Sequence, residues 1–268
     1  MTYLIIGGAG RTGSRVLDRL TTATLPVRSA SRRTGFDWDD DETWGGTFRD
    51  VTAAYVCFTP DLAFPGVPEK LAALGRLAAA SGVERLVLLS GRGEEGARAS
   101  EAALREGGVP TNVLRCSWFQ QNFSEHFLAG PVQRGCLRLP APDVPEAFVD
   151  LDDVADAAFV ALTRGGPGNA TYELSGPELL SFADAAAILS EARGVPARFE
   201  AVDVSTFVED LATDGIPAEE AEPLAHLFTD ILDGRNAHLV HGVEQLLARP
   251  ASSLSSYARR AAAAGAWS

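Results

Sequence analysis

Gly7, Gly10 and Gly13 recur at three-residue intervals, with Gly8 beside the first. Glycine has no Cβ, so such a row lets the chain turn sharply and lets a pyrophosphate approach the main chain. It reads as Gly8-x-Gly10-x-x-Gly13 or as Gly7-x-x-Gly10-x-x-Gly13, with Arg11 and Thr12 inside the loop. Leu4, Ile5 and Ile6 before it are an apolar run suited to a buried strand, and Val16, Leu17 and Leu20 after it recur at helical spacing. Strand, glycine turn and helix together point to a dinucleotide, with the helix start aimed at its phosphates. About 20 residues past such a turn, at the tip of the second strand, an acid would bind the ribose hydroxyls of NAD. The sequence has Ser31-Arg32-Arg33 there and no carboxylate. A guanidinium suits a 2′-phosphate, so NADP(H) is expected in preference to NAD(H). Asp37 and Trp38 are expected to flank the adenine.

These residues need a scaffold that gathers strand ends along one edge. Strands are predicted at 3–6, 26–32, the short stretch ending at 35–38, 53–58, 85–90 and 111–115, with helices at 69–81 and 94–105 between later members. Asp39 to Glu42 suit a helix start. Alternation of this kind dictates an α/β fold: a Rossmann-type doubly wound parallel sheet with helices on both faces. Gly91-Arg92-Gly93 reads as a flexible exit from its strand. Trp118, Phe119, Asn122 and Phe123 form an aromatic and amide cluster just past the strand at 111–115, which is good material for a substrate pocket. Short strands follow at 137–140, 171–175 and 198–202; Asp152 looks like a helix N-cap, and Ser181 to Asp184 open another helix. Residues 1–175 are read as the dinucleotide domain. Residues 121–146 are expected to join 176–268 in a smaller, mostly helical substrate lobe.

The chain has 268 residues, of which 46% are hydrophobic, enough for one large domain or a domain with a lobe. Its 36 acidic and 23 basic residues give a formal charge of −13, which argues against nucleic acid and anionic membrane as partners. No apolar run has membrane-spanning length and the start has no signal-peptide layout, so a cytoplasmic protein, monomer or homodimer, is expected. Cys57, Cys116 and Cys136 are widely spaced and read as reduced thiols; His226, His238 and His241 lack metal spacing, and no metal is expected.

With these segments placed, the chain resembles the NmrA-like atypical short-chain dehydrogenases, in particular bacterial relatives of the ergot-alkaloid (festuclavine and agroclavine dehydrogenase-like) reductases. The likeness is carried by Gly7 to Gly13, Ala30-Ser31-Arg32, Phe36 to Asp40 with Trp44, Leu114 to Phe119 with Gln121-Asn122-Phe123, and Ser175-Gly176-Pro177. Leu232 to Asn236, Ala248-Arg249-Pro250 and Gly265-Ala266-Trp267 carry it through the tail. The resemblance implies that the glycine loop, Ser31 and Arg32 hold NADP, and that Thr59, Ser90 and Asn122 lie near the nicotinamide half. It implies reduction of a small substrate, and the family also includes non-catalytic dinucleotide sensors.

One departure shapes the expected chemistry. Ordinary short-chain dehydrogenases use Tyr-x-x-x-Lys, in which the lysine helps the tyrosine give a proton to a carbonyl. Lys70 is the only lysine here and Gly66 stands four residues before it. Where the family would carry the pair, the sequence has Gly96-Ala97-Arg98-Ala99-Ser100-Glu101. Ser90, Glu101 and His126 remain as catalytic candidates, with Glu101 read first as a solvated helix residue and His126 as a surface or packing residue. An iminium accepts hydride without needing a proton, so reduction of an activated C=N or C=C is expected before that of a plain ketone. An NADP(H) sensor, or non-redox chemistry in the same crevice, stays open.

Overall fold

The computed structural model describes residues 1–164 and 168–268, and of 218–220, 222, 223 and 226 the backbone alone, so the His226 side chain lies outside the described residues. In chain order the elements are β1 (Tyr3–Ile6), α1 (Arg11–Thr22), β2 (Val27–Ala30), β3 (Ala53–Val56), α2 (Val67–Ala80), β4 (Arg85–Gly91), α3 (Glu95–Arg105) and β5 (Thr111–Cys116). Then come α4 (Asn122–Glu125), α5 (Ala129–Arg134), β6 (Cys136–Leu139), α6 (Leu151–Thr163), β7 (Thr171–Leu174), α7 (Phe182–Arg193) and β8 (Arg198–Ala201). The chain closes with α8 (Val204–Thr213), α9 (Ala218–Asp230), α10 (Gly242–Leu247) and α11 (Leu254–Ala263). They divide into two compact units. Unit 1 is Met1–Cys116, Leu151–Leu174 and His241–Arg249; unit 2 is Ser117–Asp150, Ser175–Val240 and Pro250–Ser268. Among the described residues, no helix is long and apolar enough to cross a membrane.

Unit 1 is the Rossmann-type α/β layer that the alternation predicts. Six parallel strands run in the order β2-β1-β3-β4-β5-β7, with helices on both sides. β1 and β3 are buried along their whole length, which is why they read as unbroken apolar runs. The order reverses between β1 and β3, so the turns leaving these two strands flank the switch point where ligands of open parallel sheets bind.

The stretch at 35–38 is not a third sheet strand. It makes only one isolated bridge, Asp37 to Asp40, and the sheet ends at β2. Local bonds take its main-chain groups: the Asp37 N–H donates to Thr43 Oγ1 at 3.0 Å, and the Trp44 indole N–H donates to the Asp37 carbonyl at 2.5 Å. The acids after it open only a 3₁₀ turn, Asp41–Thr43. Asp152 is also not a cap. It lies inside α6, and its carboxylate accepts from Arg19 at 2.8 Å, which pins α6 to α1.

Unit 2 carries the short parallel pair β6–β8 and a helical core. Phe182 packs edge-on to Trp118 and Phe148 and against Phe228, and the Trp267 indole N–H donates to the Phe123 carbonyl at 2.7 Å. Ser181 caps α7 and exchanges hydrogen bonds with Asp184, as a capping box requires. Substituting Ser181→Ala is expected to cost about 1 kcal/mol and to lower the melting temperature by roughly 2–4 °C in a scanning-calorimetry trace.

Candidate functional site

The glycine turn is built as the spacing requires. Gly7 leaves β1 with φ +83°, a conformation that side chains rarely adopt, and its N–H donates to the Ala30 carbonyl at 2.9 Å. Gly10 is the N-cap of α1. A Cβ on Gly13 would run into the Gly7 carbonyl, so only glycine lets α1 start this close to the turn. The first N–H groups of a helix have no partner within it, and those of α1 begin at Arg11 and Thr12. Thr12 is buried and its hydroxyl donates to Cys57 Sγ at 3.6 Å, tying the turn to the exit of β3. The residues fit a pyrophosphate: a cradle that a Cβ would fill, closed by a helix start.

At the tip of β2, Ser31 caps a 3₁₀ turn, Arg32–Thr34, and its N–H donates to Thr34 Oγ1 at 2.9 Å. Arg32 and Arg33 are exposed on that turn. Trp38 is half-buried, with Phe36 and Trp44 edge-on at 5.0 and 5.7 Å and Phe58 tilted at 4.7 Å, so an aromatic cluster stands beside Asp37. Thr59 is exposed just past β3. A cavity of about 300 Å³ also opens beside β2, lined by Arg28, Ser29, Thr34, Thr43 and Thr47 among others. Its lining includes neither the loop glycines nor Arg32, so it is distinct from the cradle.

Ser90 is the penultimate residue of β4 and is 5% exposed. Its hydroxyl donates to Glu101 Oε1 at 2.6 Å. Glu101 is therefore not a solvated helix residue: it is 1% exposed and faces inward from α3. Arg115 grips both of its oxygens, Nε to Oε1 at 2.8 Å and a terminal nitrogen to Oε2 at 2.6 Å. This grip raises the Arg115 pKa further, against the burial that would lower it. Sheet register explains the row, because Ser90 pairs with Arg115 and Arg115 with Glu173 across β4, β5 and β7. Arg92 completes it, donating to Glu173 Oε2 at 3.3 Å; at 3% exposed it is a buried anchor of the β4 exit and not part of a flexible one.

Residues missed in the sequence stand beside this row. Arg115 and Glu173 are opposite charges near the ends of short strands, a signal that could have pointed to an ion pair. Glu94 is half-buried with its carboxyl folded against Gly91, and burial, together with the Asp61 charge, pushes its pKa up to about 7. Burial also raises Asp61, partly offset by a hydrogen bond from the Ala63 N–H. Other sequence candidates lie in unit 2. Trp118, Phe119 and Asn122 are half-buried, whereas Phe123 is wholly enclosed in the core. His126 is exposed, its ring edge-on to Phe127 at 5.1 Å. Cys57, Cys116 and Cys136 are free thiols, with Cys57 and Cys136 only half-buried.

No protein-family profile matches the chain. Among curated proteins it is 32% identical to the (4-alkanoyl-5-oxo-2,5-dihydrofuran-3-yl)methyl phosphate reductase of Streptomyces griseus, over 92% of this chain and 93% of that one. It is 30% identical to festuclavine dehydrogenase easG of Aspergillus fumigatus, over 92% of each chain. The fold matches that of triphenylmethane reductase of Citrobacter sp. in complex with NADP(H), with a TM-score of 0.81 at 19% identity, covering 98% of this chain and 100% of that one. The chain belongs to the NmrA-like, atypical short-chain dehydrogenase/reductase family. This NmrA-like reductase is thus an NAD(P)-dependent oxidoreductase.

The Glu94 carboxyl gives a pH test. Below its ordinary value of 4.5, both the folded and the unfolded chain hold the proton. Between 4.5 and about 7 the unfolded chain gives up the proton that the folded chain keeps, so stability is lost over that range and the loss levels off above it. Glu94→Gln removes that loss. The melting temperature of Glu94→Gln relative to wild type is expected to rise by several degrees between pH 4.5 and pH 8, at roughly 2–4 °C for each kcal/mol in a chain of this size. A flat difference across that range would refute the burial of an ionisable Glu94.

Proposed function

We propose that this oxidoreductase uses NADPH to reduce a small molecule with an activated C=N or C=C bond, such as a cyclic iminium, an enone or a quinone, of the secondary-metabolite kind. The observation that carries the reading is the make-up of α3. This helix contains neither tyrosine nor lysine, and its inward acid, Glu101, is taken up by Arg115 and Ser90. A plain ketone needs a proton as well as a hydride, because the alkoxide product is too basic to leave free. An iminium is already cationic and becomes a neutral amine on gaining hydride, so orientation in a dry pocket suffices.

The glycine turn with Gly7, Gly10, Arg11, Thr12 and Gly13 would hold the pyrophosphate, and Ser31 and Arg32 the 2′-phosphate. Asp37 and Trp38 would meet the adenine, and Thr59 and Ser90 the nicotinamide half. NADPH supplies the hydride when bound. Trp118 and Phe119 offer aromatic faces suited to a cationic substrate, Asn122 offers an amide, and Phe123 supports them from the core of unit 2 through Phe182. Two relatives favour this class: one is named a festuclavine dehydrogenase, and the other acts on an unsaturated 5-oxo-dihydrofuran. A cytoplasmic monomer or homodimer fits a diffusible substrate.

Calorimetry with both cofactors tests the ribose end. NADPH is expected to bind tighter than NADH, and Arg32→Ala to weaken NADPH alone by about 1.5–3 kcal/mol. NADPH consumption across cyclic imines, enones, quinones and plain ketones tests the chemistry. Turnover is expected with the first three classes. Turnover confined to plain ketones would overturn the proposal, and tight NADPH binding with no turnover would favour a sensor.

A further inference from the structure

We propose that Glu101 is a positioning residue that makes Ser90 a pure hydrogen-bond acceptor, and that the site thereby selects a reacting nitrogen that is cationic or bears N–H over an oxygen that becomes an oxyanion. The inference rests on the reductase reading and narrows it, placing the iminium ahead of the enone and the quinone, whose reduction forms an oxyanion.

The argument is one of proton counting. Arg115 donates to both oxygens of Glu101, at 2.8 and 2.6 Å, and a guanidinium has donors only, so Glu101 is held as a carboxylate. A carboxylate has no proton to give, so the 2.6 Å bond to Ser90 is made with the serine proton. A hydroxyl has one proton and two lone pairs. With its proton committed, Ser90 meets any other group through lone pairs alone. The orientation is stiff: Ser90 and Glu101 are both nearly fully buried, and Arg115 is itself held 3.7 Å from Glu173 in the next strand. In such surroundings a mismatched pair of acceptors is costly, since water cannot relieve it.

The end of β4 lies on the ligand-bearing edge of the sheet. An alkoxide formed there would face lone pairs and gain nothing. A protonated imine would place its N–H on the Ser90 oxygen. Hydride addition to the iminium carbon brings two electrons, the C=N π pair becomes a lone pair on nitrogen, and a neutral amine leaves with no proton moved.

The experiment compares two probes of one shape, 2-phenylpyrrolidinium and 2-phenylcyclopentanone, by calorimetry with NADP⁺ present. Wild type is expected to favour the ammonium probe by about tenfold, the worth of one charge-assisted hydrogen bond. Ser90→Ala, which leaves the Glu101–Arg115 pair intact, should abolish the preference, and Ser90→Thr should keep it. In Glu101→Gln the amide can donate to Ser90 and free its proton, so the preference should move toward the ketone; circular dichroism checks its fold. Equal binding of the two probes to wild type, or an unchanged preference in Ser90→Ala, overturns the inference. So does a loss of NADP⁺ affinity in Ser90→Ala with the preference intact, which would turn the hydroxyl toward the cofactor. Turnover of 2-phenyl-1-pyrroline is followed in parallel. Turnover without any Ser90-dependent preference sinks this inference and leaves the reductase reading. A Ser90-dependent preference without turnover supports the inference and sinks the reductase reading.

Discussion

The two-point ion pair between Glu101 and Arg115 is the contact on which the C-terminal edge of unit 1 depends. It joins α3 to β5, and through Ser90, Glu173 and Arg92 it reaches β4 and β7. Arg115 is half-buried and Glu101 buried, so removing Arg115 would leave a carboxylate without its partner in low dielectric. Replacing both with apolar residues of like size is often neutral. What the pair supplies, then, is direction: it keeps the Ser90 proton turned to Glu101, and it ties α3 to strands β4, β5 and β7.

A different logic governs Glu94, just before α3, and Asp61, between β3 and α2. There the surroundings favour the neutral form, since burial raises both and the charge of Asp61 adds to the effect on Glu94. One edge of the sheet thus holds a carboxyl gripped at both oxygens by arginine and a carboxyl drawn toward neutrality by its burial. The acids of this edge are differentiated by their neighbours, in a chain whose formal charge is −13.

The parts legible in the sequence are those where geometry admits few residue types. Gly7 sits at φ +83° and Gly13 under a neighbouring carbonyl, so the turn is written in its residues, and the buried strands are written as apolar runs. The parts that were not legible depend on partners distant in sequence. Asp37 loses its strand because Thr43 and Trp44 claim its main-chain groups. Glu101 looks like a solvated residue in an alanine-rich helix until Arg115 is placed on the adjacent strand. Asp152 resembles a cap, yet its carboxylate answers to Arg19 on α1. The tyrosine–lysine pair is a contrasting case, because a missing residue type is decided by reading alone. The position of Ser90 at a strand end was also readable, but the direction of its proton was not.

The early end of the sheet at β2 has a further meaning. With no third strand beside it, the segment carrying Ser31, Arg32 and Arg33 is a surface turn closed by Thr34, and both arginines are exposed. Substitutions at exposed positions of this kind usually change stability by no more than about 0.5 kcal/mol. The two arginines on this turn, of which Arg32 is the one proposed to meet a 2′-phosphate, are therefore side chains whose exchange costs the fold little. On that proposal, cofactor choice could be redirected one side chain at a time, while the glycine cradle and the sheet stay as they are.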